Sequence, residues 1–80
     1  MVVATVKFHG KDGLGTPYSY LADEELAAHT DEGSWVIVES DRSKYNLGVF
    51  CGMSEDQDYL NKPFVMKKII MATGLPKEEI

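Results

Sequence analysis

A chain of 80 residues, 44% hydrophobic and 26% charged, has the composition of one folded domain and is too short for two. A domain of this size buries only about 60% of the surface its unfolded chain exposes, which leaves little room for a deep cleft, and the single cysteine, Cys51, excludes a disulfide scaffold. The formal charge of −5 comes from the first half: residues 1–40 hold seven acids and two bases, residues 41–80 six of each.

Val2, Ala4, Val6 and Phe8 alternate with Val3, Thr5, Lys7 and His9, the period of a strand with one buried face. Gly10-Lys11-Asp12-Gly13-Leu14-Gly15 follows, and its glycines and Asp12-Gly13 pair suit a hairpin turn. Tyr18, Tyr20 and Leu21 predict a second strand with Pro17 at its start. Asp23 predicts the N-cap of a helix of one or two turns through Glu24, Glu25, Leu26, Ala27 and Ala28, with acids at the positive end of its dipole.

Asp31-Glu32-Gly33-Ser34 breaks that pattern, and Trp35-Val36-Ile37-Val38 predicts a strand buried on both faces. After a turn at Asp41-Arg42-Ser43, a fourth strand alternates Tyr45, Leu47, Val49 and Cys51 with Asn46, Gly48 and Phe50, Gly48 marking a bulge or sharp coil. Met53 to Asn61 predicts a loop or short helix, with Ser54 capping one turn. Phe64 to Met71 has helical spacing at Val65/Ile69 and Met66/Ile70, but its length and β-branched content favour a closing strand. Trp35, Val36, Ile37, Val38, Leu47, Val49 and Phe50 are the expected core.

These elements predict a mainly β fold: a small five-stranded barrel or a curled antiparallel sheet, with one or two short helices in connections. Residues 1–73 form the single β-barrel domain and 74–80 a C-terminal tail. The N-terminus lacks the basic and long apolar regions of a signal peptide, and no apolar run approaches the roughly 18 residues of a membrane span. Together with the cysteine usage, this predicts a cytoplasmic protein without a membrane partner.

Val6-Lys7-Phe8 before a glycine-rich turn, Tyr18-Ser19-Tyr20-Leu21, Gly33-Ser34-Trp35-Val36-Ile37-Val38 and Leu47-Gly48-Val49-Phe50 together span residues 2–52. In these pieces the chain resembles small bacteriophage accessory proteins of unknown function and, more distantly, SH3-like and primosomal-helicase amino-terminal β-barrels. The resemblance implies an SH3-like barrel, a phage-encoded protein in the host cytoplasm and a host factor as partner. Leu26 to Asp31 looks like an insertion in that pattern, and the acidic character is unlike the nucleic-acid-binding members of the barrel class.

The chemistry of catalysis is sparse. No HExxH, CxxC or Walker loop occurs. His9 and His29 are the only partners for a Cys51 nucleophile, and Cys51 fits a small core residue better. Gly10, Gly13 and Gly15 lack the strand-to-helix context of a phosphate cradle, and Glu55-Asp56-Gln57-Asp58 lacks the glycine and terminal glutamate of a calcium loop. The expectation is therefore no enzyme, no cofactor and no metal.

What stands out is Asp23, Glu24, Glu25, Asp31 and Glu32 within ten residues, a candidate protein-binding surface for a basic partner such as a host nucleic-acid-handling enzyme. Tyr18, Tyr20 and Tyr45 form a candidate aromatic platform. With Lys7, Lys11, Arg42, Lys44, Lys67 and Lys68 beside them they would give the alternative, a barrel binding single-stranded nucleic acid. A further alternative is a structural subunit of a homo-oligomer whose strands pair between chains.

Overall fold

The computed structural model describes residues 1–10 and 13–77. Its strands are β1 (Val2–Lys7), β2 (His9–Gly10), β3 (Gly13–Leu14), β4 (Tyr18–Ala22), β5 (Trp35–Ser40), β6 (Lys44–Met53) and β7 (Ile69–Ala72), with one helix, α1 (Glu24–Ala28), between β4 and β5. Five of these strands make an antiparallel sheet in the order β4-β1-β6-β5-β7, and β2 pairs with β3 as a separate ribbon. The sheet curls through 201° into a half-barrel. Its two edges meet where Leu21 bridges Lys68 in parallel and the Leu21 amide donates to the Lys67 carbonyl at 2.8 Å.

Alternation along β1 places one face as expected, with Ala4 and Val6 fully buried in the main core and Val2 and Phe8 packed against it, but the strand is not buried on that face alone. That core also takes Ala22, Val36, Val38, Phe50 and Ile69. Leu26 and Ala27 of α1 pack against it, so the helix covers one end of the half-barrel. Asp23 holds the N-cap position with extended backbone, but its side chain makes no capping hydrogen bond.

Val3, on the opposite face of β1, is also buried, in a second cluster with Leu21 and Met66 under Tyr59. The Gln57 side chain supports this face as a strand would: Val3 N–H donates to its Oε1 and its Nε2 donates to Val3 O, both at 2.8 Å. The same Nε2 donates to Ser54 O at 2.7 Å, and Ser54 N–H donates to Val3 O at 2.9 Å. Met53 to Asn61 is accordingly a loop beyond the end of β6, without a helix among the described residues.

Four expectations need correction. Tyr45 and Leu47 are exposed, because β1 pairs with β6 only from Val49 to Met53 and the first half of β6 has β5 alone beside it. Trp35 and Ile37 are half-buried while Val36 and Val38 are fully buried, so β5 has one inner face, not two. The irregular step in β6 falls between its pairings at Phe50 and Met53, where Gly52 adopts φ +92°, and not at Gly48. Gly48 instead permits a close approach: a Cβ there would lie 2.5 Å from Val6 Cγ1 and 2.9 Å from Phe8 Cε1.

The fourth concerns Phe64 to Met71, which is strand only from Ile69, the element ending at Ala72. Phe64 to Lys67 runs outside the sheet with Phe64 and Val65 exposed. Thr73 closes β7 by donating its amide and its hydroxyl to Trp35 O. The hairpin at Gly10–Gly13 forms with Gly13 at φ +92°, while Lys11 and Asp12 lie outside the described residues.

Candidate functional site

The acidic residues lie on the excursion between β4 and β5. Ala22 is buried at the end of β4, the chain turns through Asp23 into α1, and Leu26 and Ala27 anchor the inner side of that helix. Asp23, Glu24 and Glu25 are then left exposed on its first turn, and Asp31 and Glu32 are exposed in the turn that leads to Gly33. Gly33 fixes the return, with φ +90° and its amide donating to Phe50 O at 2.8 Å.

Two of the five carboxylates have cationic partners. Asp31 accepts a hydrogen bond from Lys77 Nζ at 2.7 Å, which holds its carboxyl below the usual 3.8. Glu24 lies 3.8 Å from the terminal amine. Asp23, Glu25 and Glu32 have no ion pair among the described residues. Glu32 leans over Gly52, its Oε1 within 2.9 Å of where a Cβ would stand, and its negative charge opposes ionisation of the neighbouring Cys51 thiol.

The aromatic candidates separate. Tyr18 and Tyr20 flank Phe8, with ring centroids 5.8 and 6.1 Å from it. Tyr18 is exposed, and partial burial raises the Tyr20 hydroxyl above its usual 10.0 against the opposing pull of Lys67. Tyr45 is opposite Glu39 at the far end of the β5–β6 hairpin and is not part of this group. Tyr18 begins β4 and Tyr20 stands at its middle, whereas the acidic residues follow its last residue, Ala22, so Tyr18 and Asp23 lie at opposite ends of that strand. His9 stacks on Trp35 at 5.3 Å, a pairing the sequence did not suggest.

Of the basic candidates, Lys67 pairs with Asp41 at 2.9 Å, which raises the Lys67 ammonium above its usual value. Lys62, which was not singled out from the sequence, pairs with Asp56 at 2.6 Å; this bond lowers the Asp56 carboxyl and raises the Lys62 ammonium. Cys51 is half-buried beside Lys7, and desolvation raises its thiol, which disfavours the thiolate that nucleophilic chemistry requires. Among the described residues no group of three or more His, Cys, Asp or Glu side chains could hold a metal ion. No described helix is long and apolar enough to cross a membrane.

Sequence reasoning missed an apolar strip. Leu60, Phe64 and Val65 are 82%, 62% and 94% exposed, and the Phe64 segment faces Tyr18 and Ser19 across a groove of about 340 Å³ floored by Val3 and Met66. Its only signal is the apolar run at Phe64, whose exposure depends on the chain leaving the sheet.

No family model matches the chain, and no curated protein or solved structure matches it.

Proposed function

We propose that the chain is a small non-catalytic protein-interaction module, phage-encoded and acting in the host cytoplasm, whose acidic flank docks on a basic surface of a host nucleic-acid-handling enzyme. One observation carries the reading: a short anchored helix and the turn after it present Asp23, Glu24, Glu25, Asp31 and Glu32 to solvent, and only Asp31 has a lysine partner among the described residues. Unpaired carboxylates on one flank attract a positively charged surface and speed its capture without requiring deep burial.

Reversal of Glu24, Glu25, Asp31 and Glu32 to lysine leaves the buried positions of the fold untouched. Immobilised wild-type protein is expected to retain a basic protein from host lysate at low salt and release it at high salt, and the reversed variant to retain none of it. Equal retention of the same protein by the variant would refute the acidic-flank reading.

The exposed Tyr18 ring beside Phe8 and Tyr20, with Lys67 acting on Tyr20, supports a second reading as a surface that stacks single-stranded bases. A gel shift with single-stranded DNA at low salt, lost in a Tyr18→Ala variant, would favour it over the first.

A further inference from the structure

Phe64 borders two adjoining grooves. One, of about 340 Å³, has Tyr18 across from it and Val3 and Met66 in its floor; the other, of about 410 Å³, is lined by Leu21, Tyr59, Leu60 and Pro63. The loop that carries this surface is tied down by its own polar groups. Gln57 is bonded to Val3, Asp58 N–H donates to Asp56 Oδ1 at 3.0 Å, Asn61 N–H donates to Asp58 Oδ1 at 3.3 Å, and Lys62 pairs with Asp56. Loops normally turn polar side chains to water; here several are engaged within the chain, while Leu60, Phe64 and Val65 face outward. The exposed parts of Tyr18, Leu60, Phe64 and Val65 amount to roughly 500 Å², the upper range for the largest apolar patch of a monomer and the larger part of the ~800 Å² per partner that a standard interface buries.

We infer that this strip packs against the same strip of a second copy about a two-fold axis. Such an interface needs a surface complementary to itself, and this one carries both halves of the fit. Leu60 and Val65 stand out almost free of their own chain beside grooves with room for an aliphatic side chain, so a projecting side chain of each copy enters a groove of the other. The packing uses side chains alone, and the bond from the Leu21 amide to Lys67 O stays in place.

Charge favours a second copy over a charged partner. Each chain carries −5, yet none of Asp23, Glu24, Glu25, Asp31 and Glu32 lines either groove. The charged side chains that do line them, Lys62 and Asp56, neutralise each other. A charged partner finds nothing to select it here, whereas a second copy meets a neutral apolar surface that matches its own. The acidic flank stays free in the dimer, so this inference does not rest on the reading of that flank.

The test is sedimentation velocity from about 1 μM to about 1 mM, the range in which interfaces at the small end of the standard size act. Wild-type protein is expected to move from the 8.9 kDa monomer to twice that mass, and more readily at high salt, which screens the repulsion between two chains of −5 and leaves apolar contacts intact. Capture of a basic partner by the acidic flank weakens in the same salt, so the two readings fail separately. Leu60→Lys with Val65→Lys places like charges on both sides of the axis at exposed positions and should weaken association at least tenfold, with the circular dichroism spectrum of the wild type. Leu75→Lys, at an exposed apolar position outside the strip, should leave association unchanged. A wild-type chain that stays monomeric throughout, a dimer unmoved by the double lysine variant, or one weakened equally by Leu75→Lys overturns the inference. A monomer that instead binds zwitterionic lipid vesicles through the strip overturns it as well.

Discussion

Replacing Gln57 by glutamate tests whether a side chain completes the sheet at β1. The two residues are nearly isosteric, so the bond from Val3 N–H to Oε1 survives. The other terminal atom changes from a donor, bonded to Val3 O at 2.8 Å and Ser54 O at 2.7 Å, to a negatively charged oxygen facing both carbonyls. Each lost bond is worth about 0.5–1.5 kcal/mol, and repulsion adds to that. Gln57 is exposed, so water re-solvates part of the gap; a net loss of about 1–2 kcal/mol remains, which lowers the Tm of a domain this size by roughly 5–15 °C.

The loss depends on pH with a definite sign. Carbonyls facing the carboxylate favour its protonated form, so the folded-state pKa of the new glutamate lies above the unfolded value of about 4.3. The stabilisation from the protonated form is complete below the unfolded value and disappears as pH rises through the folded one. Melts followed by circular dichroism should therefore show a gap between variant and wild type at neutral pH that narrows on acidification. A neutral-pH Tm within about one degree of wild type would mean that the Gln57 bonds contribute nothing to holding β1.

Gly48→Ala forces a methyl group against Val6 and Phe8 in the middle of the sheet, and even after the entropic gain of replacing glycine it should lower Tm by about 5–15 °C in a thermal melt. An unchanged or higher Tm would show that β1 and β6 have slack there. Lys77→Met removes the cation that depresses Asp31, so the Asp31 titration midpoint followed by NMR should rise toward 3.8. In the wild-type chain the pair's contribution is present above the unfolded carboxyl value and lost as pH falls through the lower folded one; a midpoint unmoved by the substitution would show that the pair does not form in solution.

Local pattern was enough to place β1, β4, α1, β5 and β6, because each has alternation, a continuous apolar run or a residue suited to the N-cap position inside its own sequence. What lay beyond it depended on which strands become neighbours. Tyr45 and Leu47 alternate as regularly as any core strand, but β1 is too short to cover the part of β6 that carries them. Gly48 and Gly52 look equivalent in sequence, and only the β1–β6 register decides that one admits Phe8 and the other takes the irregular step. Phe64 to Met71 reads as one continuous run, yet its isoleucines lie in the part that joins the sheet, and Leu21 pairs with the run only at Lys68. The acidic cluster was legible as a local run, whereas its separation from Tyr18 by the length of β4 was not. Gln57 sits in a polar loop, where nothing distinguishes a structural amide from a solvated one.

Sheet order also governs how fast the molecule can assemble. β1 is flanked by β4 and β6, and the seam joins Leu21 to Lys68, so the pairings that complete the half-barrel wait on closure of loops some forty residues long. Local hairpins form in microseconds, but a chain dominated by such distant partners crosses its barrier in milliseconds to seconds, with the β1–β4 ribbon formed early and its second edge uncovered meanwhile.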